Sequence, residues 1–210
     1  SVIGTAFYVM DHVDGRIFED PTLPGLDPAT RGGMYEDMAA TLAALHRVPP
    51  DAVGLGDFGK PRGYVRRQIE RWTKQYEASK TEDIGEMTAL MGWLHAQPEP
   101  ADEARIAHGD FRLGNLIFHP TEPRVLAVLD WELSTLGHPL ADLAYFMMAF
   151  HLPSGIPTLP GLVGTDLGAL GIPEERTLVD RYAALAGRGA VDEATHRFFL
   201  AFSIFRLAAI

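Results

Sequence analysis

The hydrophobic period of this chain changes in the middle and then changes back, which limits what it can fold into. Behind Asp27–Pro28, a good N-cap and first-turn pair, Met34, Met38, Leu42 and Leu45 recur at helical spacing until Pro49–Pro50 stops them. Val65, Ile69, Trp72 and Tyr76 mark the apolar stripe of a second helix, and Met87, Leu90, Met91 and Leu94 that of a third. The runs RIAHGD, NLIFH and VLAVLDW are instead short and β-type, the last two joined by the turn-like PTEP at 120–123. After Pro139 the helical period returns through Met148. A loop rich in Gly and Pro follows from Pro153 to Gly171, and helices begin near Pro173 and Asp192. The pattern is α+β, a mostly helical domain with a small β hairpin in its middle and no linker dividing it. At the other end TAFYVM reads as a strand and DHVDG as the turn that ends it.

Composition removes several classes of function. Cysteine is absent, which excludes disulfides, thiolate metal sites and a cysteine nucleophile. The net charge of −10 argues against a nucleic-acid partner, which needs a basic face. No apolar run reaches the roughly 18 residues of a bilayer span, so no membrane partner and a cytoplasmic location are expected. The opening residues read as a strand already under way and the closing ones as a helix without a stop signal, so a longer polypeptide is expected. Charge is uneven, with six basic residues and one acid between Lys60 and Lys74. That stretch is either a solvated helix face or a landing surface for an anionic substrate such as a CoA thioester.

The polar residues gather at the β insert: His108, Asp110, Arg112, Asn115, His119, Asp130, Glu132 and His138. A helical domain has no structural need for charged groups at the mouths of three short strands, so the clustering points to a site. Phosphoryl transfer requires a carboxylate to orient the attacking hydroxyl, oxygen ligands for Mg²⁺, and a cation for the charge on the transferred group. Asp110 and Asn115, five residues apart, meet the first two needs, and Asp130 on the next strand supplies a second metal ligand. This spacing resembles that of protein kinases, with Arg112 where those enzymes carry a lysine that contacts phosphate. Arg112 could equally pair with a neighbouring acid. Glu132 either reaches a second metal through water or accepts a structural hydrogen bond. His108 either braces the loop or transfers a proton. Asp142 opens an otherwise apolar helix and is read as pinning the catalytic-loop backbone, while His119 and His138 are read as loop histidines.

HGDFRLGN at 108–115, then VLDWE, then LGHPLADLAY, resembles the aminoglycoside phosphotransferase and choline kinase superfamily. Within it, the arginine after Phe111 and the GHP of Gly137–Pro139 resemble the branch fused to, or encoded near, acyl-CoA dehydrogenases. The resemblance implies the C-terminal lobe of a protein-kinase-like fold, with residues 1–14 as the last N-lobe strand and hinge and residues 15–210 as the helical lobe. It implies Asp110 as catalytic base, Asn115 and Asp130 as Mg²⁺ ligands, and the backbone of Asp11, His12 and Val13 as the adenine contact of ATP. It further implies a small-molecule hydroxyl as acceptor, from aminoglycosides and choline to hydroxyacyl-CoA. Many relatives carry Asp where this chain has His138, and an N-lobe with its phosphate-covering loop and lysine would lie upstream of Phe7. The competing functions are a metal-dependent hydrolase built on His108, Asp110, Asp130 and a nearby histidine, and a catalytically silent nucleotide-binding module.

Overall fold

The structure, a computed structural model, describes residues 4, 7 and 9–210. Of the strand expected in TAFYVM, Thr5, Ala6 and Tyr8 lie outside the described residues, and Phe7, Val9 and Met10 take no regular secondary structure. The first helix, α1, runs Pro28–Arg47, and its cap is the expected one: Asp27 accepts from the Thr30 N–H at 3.0 Å and from its hydroxyl at 2.6 Å. Helices α2 (Tyr64–Ser79) and α3 (Gly85–Ala96) follow. After the β region come α4 (Pro139–Met147), the single turn α5 (Leu167–Leu170), α6 (Glu175–Leu185) and α7 (Glu193–Ala208). Asp192 caps α7 through the Thr195 N–H at 2.9 Å.

The β region holds one strand more than the sequence pattern suggests. Strands β2 (Leu116–Phe118) and β3 (Val125–Val128) form the expected antiparallel hairpin. The third run, β1 (Arg105–Ala107), pairs instead with β4 (Thr135–Gly137), giving a second two-stranded sheet. Sequence patterning misses β4 because it is three residues long, with one large apolar side chain, Leu136, between Thr135 and Gly137. The nested pairing, β1 with β4 outside and β2 with β3 inside, puts the β1–β2 loop and the β3–β4 turn side by side, and the candidate site lies there.

Helices α1 and α6 pack together, as do α4 and α7, and one core runs through them. Met34, Leu42, Phe111, Phe118, Phe199 and Tyr182 are wholly buried, each burial contributing about 1.5–3 kcal/mol against chain entropy. The apolar stripes expected of α2 and α3 also point inward, Trp72 and Tyr76 included. Ahead of α1 the chain docks on β2, where Arg16 and Phe118 exchange both backbone hydrogen bonds at 2.8 Å. The approach requires Gly15, because a Cβ there would overlap the Ile117 side chain and the Phe118 carbonyl.

Candidate active site

The loop from His108 to Asn115 is held from beneath by Asp142 on the first turn of α4. Its carboxylate is 2 % exposed and accepts from the backbone N–H of His108 at 2.6 Å and of Gly109 at 2.8 Å. The His46 ring on α1 adds a third contact at 3.3 Å, and its other nitrogen lies 2.6 Å from the Tyr182 hydroxyl on α6. Burial works to raise the pKa of Asp142, but the His46 ring and the two N–H groups hold it below the usual carboxylate range. An ionised Asp142 thus ties the loop to three helices. Gly109 allows the sharp turn, with φ at +85° and the Leu133 carbonyl 2.5 Å from where a Cβ would stand.

His108 is wholly buried, and both ring nitrogens are engaged. Nδ1 accepts from the Asp110 N–H at 3.2 Å, and Nε2 donates to the Leu129 carbonyl at 2.8 Å. Beyond it Asp110 and Asn115 meet, the Asn115 amide nitrogen donating to the Asp110 carbonyl at 2.9 Å and to its carboxylate at 2.8 Å. Arg112 Nε stands 3.5 Å from the same carboxylate oxygen, while its terminal nitrogen pairs with Glu19 at 3.2 Å. Tyr145 also faces Asp110, and burial followed by the Asp110 charge pushes its phenol up to about 12.

Asp130 arrives from the other sheet. It follows β3 with φ 64° and ψ 59°, a left-handed conformation that aspartate tolerates better than most residues and that concentrates at functional sites. The residue before it is gripped twice: the Leu129 N–H donates to the Asn115 carbonyl at 2.8 Å and the Leu129 carbonyl accepts from His108. Asp130 itself is exposed. Glu132, on the turn Trp131–Leu133, is also exposed and makes no hydrogen bond or ion pair among the described residues.

The structure therefore brings Asp110, Arg112 and Asn115 into contact, links Asp130 to them through Leu129, and leaves Glu132 apart. Asp11, His12 and Val13 line a pocket of about 320 Å³ together with Ile117 and Leu129, the residue before Asp130. His138 lies in the connection between β4 and α4 and is buried. It is the N-cap of α4, accepts from the Leu140 N–H at 3.2 Å, and stacks on Phe199 at 4.5 Å. Tyr145, Glu19, His46 and Tyr182 are contacts that sequence reasoning passes over. Tyr145 had a signal, three residues after Asp142 on one helix and so on its face, whereas Glu19 had none. Among the described residues no three His, Asp or Glu side chains could jointly hold a metal ion.

Residues 1–187 match the model of the phosphotransferase enzyme family. The chain belongs to that family. Acyl-CoA dehydrogenase family member 10 of Mus musculus is 46 % identical over 210 residues, covering all of this chain and 20 % of the relative. Acyl-CoA dehydrogenase family member 11 of Homo sapiens is 46 % identical over 211 residues, covering all of this chain and 27 % of the relative. This family member thus spans a fifth to about a quarter of the length of the curated relatives it matches. A crystal structure from Ralstonia eutropha JMP134, described as an aminoglycoside phosphotransferase, superposes with a TM-score of 0.89 at 50 % identity, over 95 % of this chain and 60 % of that one. The α+β, kinase-like phosphotransferase fold and the acyl-CoA dehydrogenase-associated branch both stand as expected. No helix among the described residues is long and apolar enough to cross a membrane.

Proposed function

We propose that this phosphotransferase moves the γ-phosphoryl group of ATP, with Mg²⁺, onto a hydroxyl of a small molecule. One observation carries the reading: the Asp110–Asn115 pair at 2.8 Å shares a platform with an exposed Asp130 held in left-handed geometry. Asp110 orients the acceptor hydroxyl and takes its proton, fixed for the task by Asn115 on one side and Tyr145 on the other. His108 is a positioning residue here, since both ring nitrogens are committed to aligning Asp110 with Leu129. Arg112, next to the base, meets charge on the transferred group.

The donor set suits magnesium. With its amide nitrogen turned to Asp110, Asn115 offers Oδ1, and Asp130 offers its carboxylate. Oxygen donors in small number, completed by phosphate and water, are the usual Mg²⁺ arrangement, whereas zinc sites favour histidine and thiolate clusters. Bound there, the ion would neutralise charge between the phosphates. The pocket lined by Ile117, Leu129 and the segment Asp11, His12 and Val13 would take the adenine ring, with the backbone of that segment as its contact. Residues 1–14 then serve as a hinge to a second lobe, and residues 15–210 as the catalytic lobe. The names of the relatives support a place fused to, or beside, an acyl-CoA dehydrogenase, with hydroxyacyl-CoA thioesters as the first acceptors to try.

The test is ADP release by the full-length protein offered amino sugars, choline-like alcohols and hydroxyacyl-CoA thioesters. At least one acceptor should stimulate release, and Asp110→Asn should lower kcat by about 10²–10⁴. Full activity in that variant refutes the assignment of the base.

A further inference from the structure

The unsatisfied polar atoms between α2 and α7 can all donate, and two of them, on Trp72 and Arg206, can do nothing else. Arg206 is 8 % exposed, with its guanidinium over the Trp72 ring at 5.7 Å and the Tyr145 ring at 5.1 Å. Its Nε is buried and unpartnered, and among the described residues no carboxylate pairs with it. The indole Nε1 of Trp72 and the hydroxyl of Tyr76, one turn further along α2, are also buried without partners. Arg71 lies over Trp72 as well, at 5.2 Å, and makes no ion pair among the described residues. Aromatic faces offset part of the cost of burying a guanidinium, but they accept no hydrogen bond from its edge. Such a group calls for an acceptor, and a cationic donor in a desolvated place calls for an anion.

The location gives that anion a role. Tyr145 has Arg206 over its ring and Asp110 facing its phenol, so the same residue touches the empty cation and the candidate base. We propose that Arg206, with Arg71 and Trp72, forms a subsite for an anionic group carried by the phosphoryl acceptor, a carboxylate or a phosphate. This rests on the phosphotransferase reading above. The basic face of α2 then takes part in binding through Arg71. Arg67 spends its guanidinium on the carbonyls of Lys60 and Arg62, and Arg66 pairs with Glu99.

Binding is separable from turnover. In the full-length protein, inorganic phosphate and propionate are titrated against tryptophan fluorescence, with Trp72→Phe identifying the reporter. The expected result is a saturable change for at least one anion, lost in Trp72→Phe and weakened about tenfold or more in Arg206→Gln and several-fold in Arg71→Gln. Arg71 is exposed, so that variant stays informative even if Arg206→Gln fails to fold, and Arg206→Lys should restore part of the affinity. No saturable change in the wild type, as when a carboxylate of the protein itself fills the place, overturns the subsite. So does an affinity unmoved in both glutamine variants. The preferred anion tells the source: propionate points to a hydroxy acid, phosphate to a phosphorylated carrier such as CoA. Where acceptors turn over, the Arg206 variant should raise KM for anionic acceptors and leave kcat within a few-fold. Absence of ADP release from every acceptor would sink the phosphotransferase reading while the fluorescence arm still decides the subsite.

Discussion

Replacing Asp142 with alanine tests how the loop is held. The substitution orphans two buried backbone N–H groups, those of His108 and Gly109, and the His46 ring. Each unsatisfied buried donor costs about 1–3 kcal/mol, but the three share one carboxylate and water can enter the space left, so the costs do not simply add. Breaking a buried charged contact of this kind typically costs about 3–5 kcal/mol. Against the roughly 2–4 °C per kcal/mol of a domain this size, Tm at pH 7 should fall by about 6–20 °C. The pH dependence adds a second check. Because the folded pKa of Asp142 lies below its ordinary 3.8, its contribution is present above the ordinary carboxylate range and is lost as pH falls through the folded value. Urea unfolding of wild type and variant at pH 7 and at about pH 3, below the ordinary value, should therefore show a gap that narrows on acidification. A loss under about 1 kcal/mol at pH 7, or a gap that widens at about pH 3, would refute the account.

Two further outcomes follow from the same region. Gly109→Ala must accept φ of +85° and a clash with the Leu133 carbonyl, so it should cost about 1–3 kcal/mol in urea unfolding and displace Asp110 enough to lower ADP release. His138 is held neutral by burial, its pKa depressed to about 4 from 6.5. It therefore contributes fully above pH 6.5, and stability should fall as pH drops from 6.5 toward 4; Tm of His138→Asn should be flatter across that window.

The helices were legible because their signals are local and redundant. Asp27 and Asp192 cap where side-chain chemistry says they should, and the apolar stripes of α2 and α3 face the core. The β2–β3 hairpin was legible for the same reason. Strand β4 was not, since three residues cannot express a period and its partner, β1, lies some thirty positions away. Within the site, Asp110 and Asn115 are close in sequence, so their spacing carried their contact. The link from Asp142 through His46 to Tyr182 joins α4, α1 and α6, and no local pattern encodes it. Glu19 is likewise invisible, an exposed acid that meets Arg112 only because the segment before α1 folds back across β2.

Leu129 divides two kinds of constraint between the halves of one residue. Its peptide groups join the His108–Asn115 loop to Asp130, and the residue also lines the pocket beside Met10–Gly15. On the proposed reading of this pocket as the adenine site, exchanging Leu129 among apolar shapes would shift base preference without moving the carboxylate one residue on. Proline is the exception, since it removes the N–H that Asn115 receives and would loosen the carboxylate whatever nucleotide is used. On that reading, base choice and the alignment of Asp130 are separately evolvable, although a single leucine serves both.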